Sequence, residues 1–327
     1  DKTGVIVSNP GNLDLKPERS QEWEAGFEAG LFNGRLAVDL TYYNRTTKDA
    51  LVDRDLAPSL GLTTSRFENL AKTKNWGWEA GINGTVVQTP LLTWNVGLNG
   101  STNANKVVEL GEDIEPIVFG DQAHKEGYPL GAYWERPYTW EDTNGDGFIA
   151  VDEVTVNASD TTEFVGYARP RYELSLFNSF DIGSWLRISG LFDYRGGHKA
   201  YNFTEEFRCR FRTCEALNNP DASLELQARS IAGAVSSTQT GLGFMDPGWF
   251  IKLRELSFTF FLPTNMAGMI GADRATLTIS GRNLLTITDY TGTDPEVQQT
   301  ATSNFTSRDF LTQPQVRYWT ARLQLTF

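Results

Sequence analysis

At 327 residues, the chain is long enough for one large domain or two ordinary ones, and its 30 glycines and 12% aromatics exclude a disordered chain. A net charge of −12 argues against nucleic acid as a partner. The most apolar runs, such as Phe258–Pro263, fall far short of the roughly 20 residues that a membrane-crossing helix needs. A membrane could then be crossed only by tilted strands of about 9–11 residues with alternating character. Asp1 is not a start methionine and no apolar signal core follows it, so the expectation is a processed N-terminus or a piece of a longer chain.

The first element alternates Trp23, Ala25, Phe27, Ala29 and Leu31 with Glu22, Glu24, Gly26, Glu28 and Gly30, a strand with one dry and one wet face. Phe32–Gly34 is a hairpin signal, and the chain returns through Leu36, Val38, Leu40 and Tyr42. A third strand carries Trp76, Trp78, Ala80 and Ile82, and a fourth Trp94, Val96 and Leu98. Leu174, Leu176 and Phe180 mark the fifth, and Leu186, Ile188, Phe192 and Tyr194 the sixth. Leu256, Phe258, Phe260 and Leu262 mark the seventh, Leu277 and Ile279 the eighth, and Trp319–Phe327 the ninth.

Charges keep to the polar faces: Glu22, Glu24, Glu28, Arg35, Asp39, Glu79, Glu173, Arg187, Asp193, Glu255, Arg282 and Arg322, with none on the apolar faces of these stretches. A soluble β-sandwich explains such alternation, but its strands run to about 5–6 residues, shorter than these. Short turns (Phe32–Gly34, Gln88–Leu91, Asp181–Ser184, Pro263–Asp273) also alternate with long polar connections (Asn44–Lys74, Ala104–Arg171, Arg195–Trp249, Leu285–Gln315). Outer-membrane barrels have this asymmetry, with short turns in the periplasm and long loops outside. Trp23, Trp76, Trp78, Trp185 and Trp319 lie near strand ends, where interfacial aromatic girdles sit. The fold expected is therefore all-β, an antiparallel transmembrane β-barrel. An odd strand count and two unpaired edges make residues 1–327 the C-terminal portion, about nine strands, of a larger barrel of about 22.

One stretch has readable chemistry. Asp142–Glu153, "DTNGDGFIAVDE", matches a calcium loop. Asp142, Asn144 and Asp146 would supply side-chain oxygens, Phe148 its carbonyl and Glu153 a bidentate carboxylate, with Asp152 as the alternative acid and Gly147 at the sharp turn. The ion would be structural; a solvated Asp/Asn/Gly turn is the alternative. Cys209 and Cys214 form either a small disulfide loop or two free thiols. Tyr128, Tyr133, Trp134, Tyr138 and Trp140 are candidate exposed ligand or partner contacts, or else loop packing. Nucleophile-elbow, phosphate-loop, zinc-protease and dinucleotide motifs are absent, so no enzyme is expected.

Three stretches resemble one family. "NPGNLDLKPERSQEWEAGFEAGL" (Asn9–Leu31) resembles the pattern at a barrel strand of TonB-dependent outer-membrane receptors. "GRNLLTITDYTGTDPEV" (Gly281–Val297) looks like the penultimate strand and last loop of the SusC/RagA-like branch, and "PQVRYWTARLQLTF" like its closing strand. "GWFIKLRELSFTFFLP" (Gly248–Pro263) joins them. The resemblance implies a receptor in the bacterial outer membrane importing a large nutrient, an oligosaccharide or a peptide, with energy from TonB. It implies a plug domain and TonB contact in an N-terminal part outside this chain, and a SusD-like lipoprotein lidding the loops. It also makes the terminal strand, with Trp319 and Phe327, the barrel-closing element and the signal for the outer-membrane assembly machinery. A secreted calcium-dependent carbohydrate-binding β-sandwich and a passive porin are the rival readings.

Overall fold

The computed structural model describes residues 11–55, 65–111, 114–158, 161–300 and 307–327. Nine strands lie in one antiparallel sheet in chain order: β1 (Arg19–Leu31), β2 (Leu36–Asp55), β3 (Ser65–Gln88), β4 (Leu92–Glu109), β5 (Tyr172–Ile182), β6 (Leu186–Gly196), β7 (Phe250–Phe261), β8 (Arg274–Thr288) and β9 (Tyr318–Thr326). The register explains why the sequence alternates. Phe27 stands opposite Leu40, Leu40 opposite Ala80, Ile82 opposite Leu98, and Leu98 opposite Leu176. Phe180 faces Ile188, Ile188 faces Phe258, and Leu277 faces Leu323, so one surface is apolar from edge to edge. The other parity brings together Thr41 and Glu79, Ser101 and Glu173, Asp181 and Arg187, Glu255 and Arg282.

The apolar surface is bare. Phe27, Trp78 and Leu323 are 56%, 48% and 60% exposed. A β-sandwich would bury such side chains under a second sheet, and among the described residues none covers them. This excludes the sandwich and makes hydrocarbon the solvent of that face. From Trp23 to Leu31 the strand spans about 26 Å at roughly 3.3 Å per residue, enough for a tilted crossing. β1 and β9 each pair on one side only, so the sheet is open.

At the short-turn end, Phe32 and Asn33 both adopt positive φ (52° and 57°), the backbone of a tight hairpin whose twist suits antiparallel strands. Phe32, Leu91, Trp185 and Phe327 project from this rim, all exposed. Pro263–Asp273, expected as a plain turn, contains a short helix (Thr264–Gly268). Ala267 and Ala272 in this connection are buried, as is Ala275 on the apolar face of β8.

The long-loop end departs further from expectation. Asn44–Lys74 is not a loop throughout, because β2 and β3 continue as a ladder past the membrane level. Once water lies on both faces, no apolar stripe is needed, so the period-2 signal fades although the ladder persists. A bulge interrupts the ladder where Asp49 takes φ 59°. Asn69 clamps this bulge: its amide donates to the Asp49 carbonyl at 2.8 Å and the Lys16 carbonyl at 2.7 Å, and its Oδ1 accepts from Lys16 N at 2.7 Å. Leu15-Lys16-Pro17-Glu18 is thereby tied down just before β1; Asn9 and Pro10 lie outside the described residues.

The other long connections fold into a compact cap. Ile117–Phe119, Gln122–His124, Ala132–Glu135 and Glu163–Gly166 form a small sheet. Lys199–Asn202 pairs with Met245–Pro247 on one side and with Arg308–Asp309 on the other, so two different loops share strands. Two helices, α1 (Phe203–Arg210) and α2 (Leu224–Ser230), complete it. Asn202 caps α1 by accepting from Glu205 N, and Ser223 caps α2 by accepting from Leu226 N. One apolar core gathers Tyr133, Ala168, Tyr201, Cys209, Cys214, Phe244 and Met245; a second gathers Ile149, Val154, Ala228, Ile231 and Ala232.

Candidate functional site

The inner face of the wall and the cap meet at an ionic clasp. Lys252 and Arg254 sit on β7, where a bulge between Leu253 and Glu255 lets both reach inward. Lys252 Nζ, almost fully buried, donates to both oxygens of Asp294 at 2.7 and 2.8 Å and to Glu296 at 2.7 Å. Arg254 donates to Glu296 Oε2 at 2.6 Å and to Asp193 on β6 at 2.7 Å. Burial alone would raise the Glu296 carboxyl, but the hydrogen bonds and charges of Arg254 and Lys252 hold it down to about 2. The clasp folds the last loop against the inner wall. It joins the two stretches Gly248–Pro263 and Gly281–Val297, which the sequence singles out separately. The individual residues were not singled out: Glu296 lies 44 positions from Lys252, a separation that no local pattern reveals.

A second connection also leans over the mouth. Leu130 N donates at 2.8 Å to Asn105 on the inward face of β4, and Tyr128 and Gly127 exchange backbone bonds with Val107. Behind it lies a buried carboxyl group, Glu135, which accepts from the Thr240 hydroxyl at 3.0 Å. Burial and the neighbouring Asp121 carboxyl push Glu135 above the usual carboxylate range. Glu206 on α1 is similarly raised by burial, against hydrogen bonds from Tyr201 and Arg210.

The aromatic candidates divide. Tyr128, Trp134 and Phe164 form a cluster with ring centres 4.7–5.7 Å apart, and Lys125 lies 3.8 Å over the Trp134 ring. Tyr128 and Trp140 are exposed, while Tyr138 is half-buried against the second core. Tyr133 corrects the expectation of an exposed contact: it is 1% exposed and gives its hydroxyl to the Ser307 carbonyl, so it holds loops together. Its place on a short strand whose neighbours Ala132 and Glu135 are also buried explains the difference. Cys209 and Cys214 are joined in a disulfide with Cα atoms 4.7 Å apart, closing the end of α1. Trp319 is exposed on the apolar face opposite Gly281, and Phe327 is exposed at the short-turn rim.

The loop Asp142–Glu153 closes between the paired strands Tyr138–Trp140 and Val154–Val156. Asp142 accepts from Gly145 N at 2.8 Å and Gly147 N at 3.1 Å, Asn144 from Asp146 N at 2.8 Å, and Asp146 from Phe148 N at 2.8 Å. Gly145 and Gly147 take φ of 72° and 82°, which a β-carbon would oppose. Ile149 inserts into the second core and its N–H meets Gln227 of α2 at 2.9 Å. Glu153 accepts from Ala150 N, Thr143 Oγ1 and Thr143 N, which lowers its pKa. Asp152 is exposed. An all-oxygen donor set with two left-handed glycines fits a hard cation such as calcium. Among the described residues, one group of acid or thiol ligand atoms lies within 4.8 Å of one another: Glu205, Cys209 and Cys214, whose sulfurs are spent in the disulfide. The carboxylates of Asp142–Glu153 are spread more widely.

An open sheet with a lipid-facing exterior, a charged interior and loops folded over its mouth defines a piece of an outer-membrane β-barrel. The family described as TonB dependent receptor-like, beta-barrel, matches residues 3–284, and the chain belongs to it. TonB-dependent receptor P3 of Formosa agariphila is 25% identical over 99% of this chain and 36% of its own length. TonB-dependent receptor SusC of Bacteroides thetaiotaomicron is 24% identical over 90% of this chain and 31% of its own. A chain of the RagAB peptide transporter superposes with a TM-score of 0.76 at 21% identity, covering all of this chain and 37% of that one. The chain therefore spans about a third of the relatives it matches, and its fold and outer-membrane location are those of the TonB-dependent receptor barrel family.

Proposed function

We propose that this chain supplies wall, inner face and external loops to a TonB-coupled importer of a large nutrient, an oligosaccharide or a peptide. The observation that carries the reading is the folded cap over the inner mouth, clasped to the wall by Lys252 and Arg254. A passive pore gains nothing from closing its mouth in this way; an active receptor needs to retain cargo. The two open edges of the sheet call for further strands in hydrocarbon, and a plug and TonB-contacting segment would belong to the same protein outside residues 1–327. A SusD-like lipoprotein would close over the cap, whose exposed Tyr128 and Trp140 suit such a contact. The assembly machinery would read the terminal strand ending in Phe327. The test is uptake by cells carrying the full-length gene, with separate pools of labelled oligosaccharides and peptides. Accumulation of one pool should stop when TonB is deleted or the proton gradient is collapsed; accumulation that survives both would leave a passive pore.

We further infer that Asp142–Glu153 binds calcium as a structural ion, with Asp142, Asn144 and Asp146 as side-chain ligands, the Phe148 carbonyl, and Glu153 or Asp152 as the closing acid. The ion would offset repulsion among clustered carboxylates and stiffen a loop already pinned by Ile149. Titration of the full-length protein with calcium should give binding heat that Asp146→Ala removes. No heat in the unaltered protein would leave the stretch a solvated turn.

A further inference from the structure

Four cations point outward above the aromatic residues of β1–β4, and the acid nearest them along the β3–β4 ladder, Glu109, stands opposite a further cation, Lys72. Arg19 stands directly opposite Lys48 in the β1–β2 ladder, and Lys74 opposite Lys106 in the β3–β4 ladder. Arg19 shares the face of Trp23 on β1, Lys48 that of Tyr42 on β2, and Lys74 that of Trp76 and Trp78 on β3, since even steps along a strand keep one face. The rows can be followed across the sheet. Trp23, Asn44, Trp76 and Ala104 lie side by side; the next row toward the loops is Gln21, Thr46, Lys74 and Lys106; beyond it come Arg19 and Lys48.

Like charges directly opposite in a ladder destabilise it, and here two such pairs lie next to each other. Among the described residues, none of the four takes part in an ion pair. Lys74 has only the Trp76 ring, 5.7 Å from its ammonium. The patch is local. At the corresponding outer ends of β5–β7, the outward residues are Tyr172, Tyr194 and Ile251, with no cation.

We propose that this patch binds the phosphate groups of a phosphorylated glycolipid in the outer leaflet of the membrane. The cations lie just beyond the apolar band and its aromatics, at the depth of headgroups, and on the same surface that meets acyl chains. Lysine and arginine stems can lie along apolar wall while their charges reach the headgroup layer. Cross-strand partners are about 5 Å apart at Cβ, close enough for two cations to share one phosphate. A lipid-borne anion is the occupant because the patch continues the lipid-facing wall.

The test uses the full-length protein purified in detergent. Native mass spectrometry follows binding of diphosphoryl lipid A and of its dephosphorylated form. The expected result is a clear preference for the phosphorylated lipid, reduced about fivefold for each cation neutralised. Two double variants, Arg19→Gln with Lys48→Gln and Lys74→Gln with Lys106→Gln, report each pair separately, and the two-lipid comparison on unaltered protein stands even if a variant does not fold. Equal binding of both lipids by the unaltered protein would overturn the proposal, as would variants that bind like it. Competition by free inorganic phosphate at equal concentration would also overturn it, because the site would then serve an anion from the water phase.

Discussion

Replacing Lys252 by Met removes the ammonium that three carboxylate oxygens share and leaves Asp294, itself buried, facing an apolar side chain. Breaking a buried ion pair by deleting one partner costs about 3–5 kcal/mol. The clasp as a whole, Arg254 included, holds the Glu296 pKa from 4.5 down to about 2; at about 1.4 kcal/mol per unit this corresponds to about 3 kcal/mol, of which Lys252 supplies a share. Because the folded pKa is the depressed one, that stabilisation is present above pH 4.5 and is lost as pH falls toward 2. The effect of Lys252→Met is local, since the clasp joins a loop to the wall. Hydrogen exchange on the full-length protein should show residues 290–297 losing about a hundredfold in protection in Lys252→Met at neutral pH. In the unaltered protein the same amides should lose protection on acidification below 4.5. Unchanged protection in Lys252→Met would refute the reasoning and make the loop's position a matter of backbone packing.

Glu135→Gln removes a buried carboxyl whose folded pKa is raised, so the unaltered cap should lose stability as pH rises above the ordinary carboxylate range; thermal unfolding of the cap, followed by limited proteolysis, should become less dependent on pH in the variant. Reducing the Cys209–Cys214 bond, or replacing both residues by Ser, opens a short ring worth about 2 kcal/mol of chain entropy, and protease sensitivity near the end of α1 should rise with the wall untouched. Ile149→Ala empties a place in the second core and should cost about 2–5 kcal/mol, read as faster exchange at both the 142–153 loop and α2.

The wall was legible because hydrocarbon on one side and charged interior on the other enforce a period of two over long strands. All nine strands were visible in residues such as Phe27, Leu40, Leu98 and Leu323. Legibility ended where that boundary condition ended. Beyond the headgroup layer above Trp23 and Trp76, water meets both faces, so the outer halves of β2 and β3 read as loop. The helix at Thr264–Gly268 is too short to show a helical period. In the cap, Tyr133 looked like a surface ring because nothing local distinguishes an exposed tyrosine from one that closes a core made of distant segments. The Asp142–Glu153 loop was recognisable as a turn motif, but its anchoring by Ile149 on α2 depends on a contact 78 residues away.

The clasp also constrains how such receptors can diversify. Acids on the final loop and bases on β7 form a single lock whose halves lie on separate segments of the chain. A loop graft that lacks these acids would strand a buried base unless Lys252 and Arg254 change with it, and because Arg254 also holds Asp193 on β6, an exchange that keeps the lock whole must cut upstream of β6.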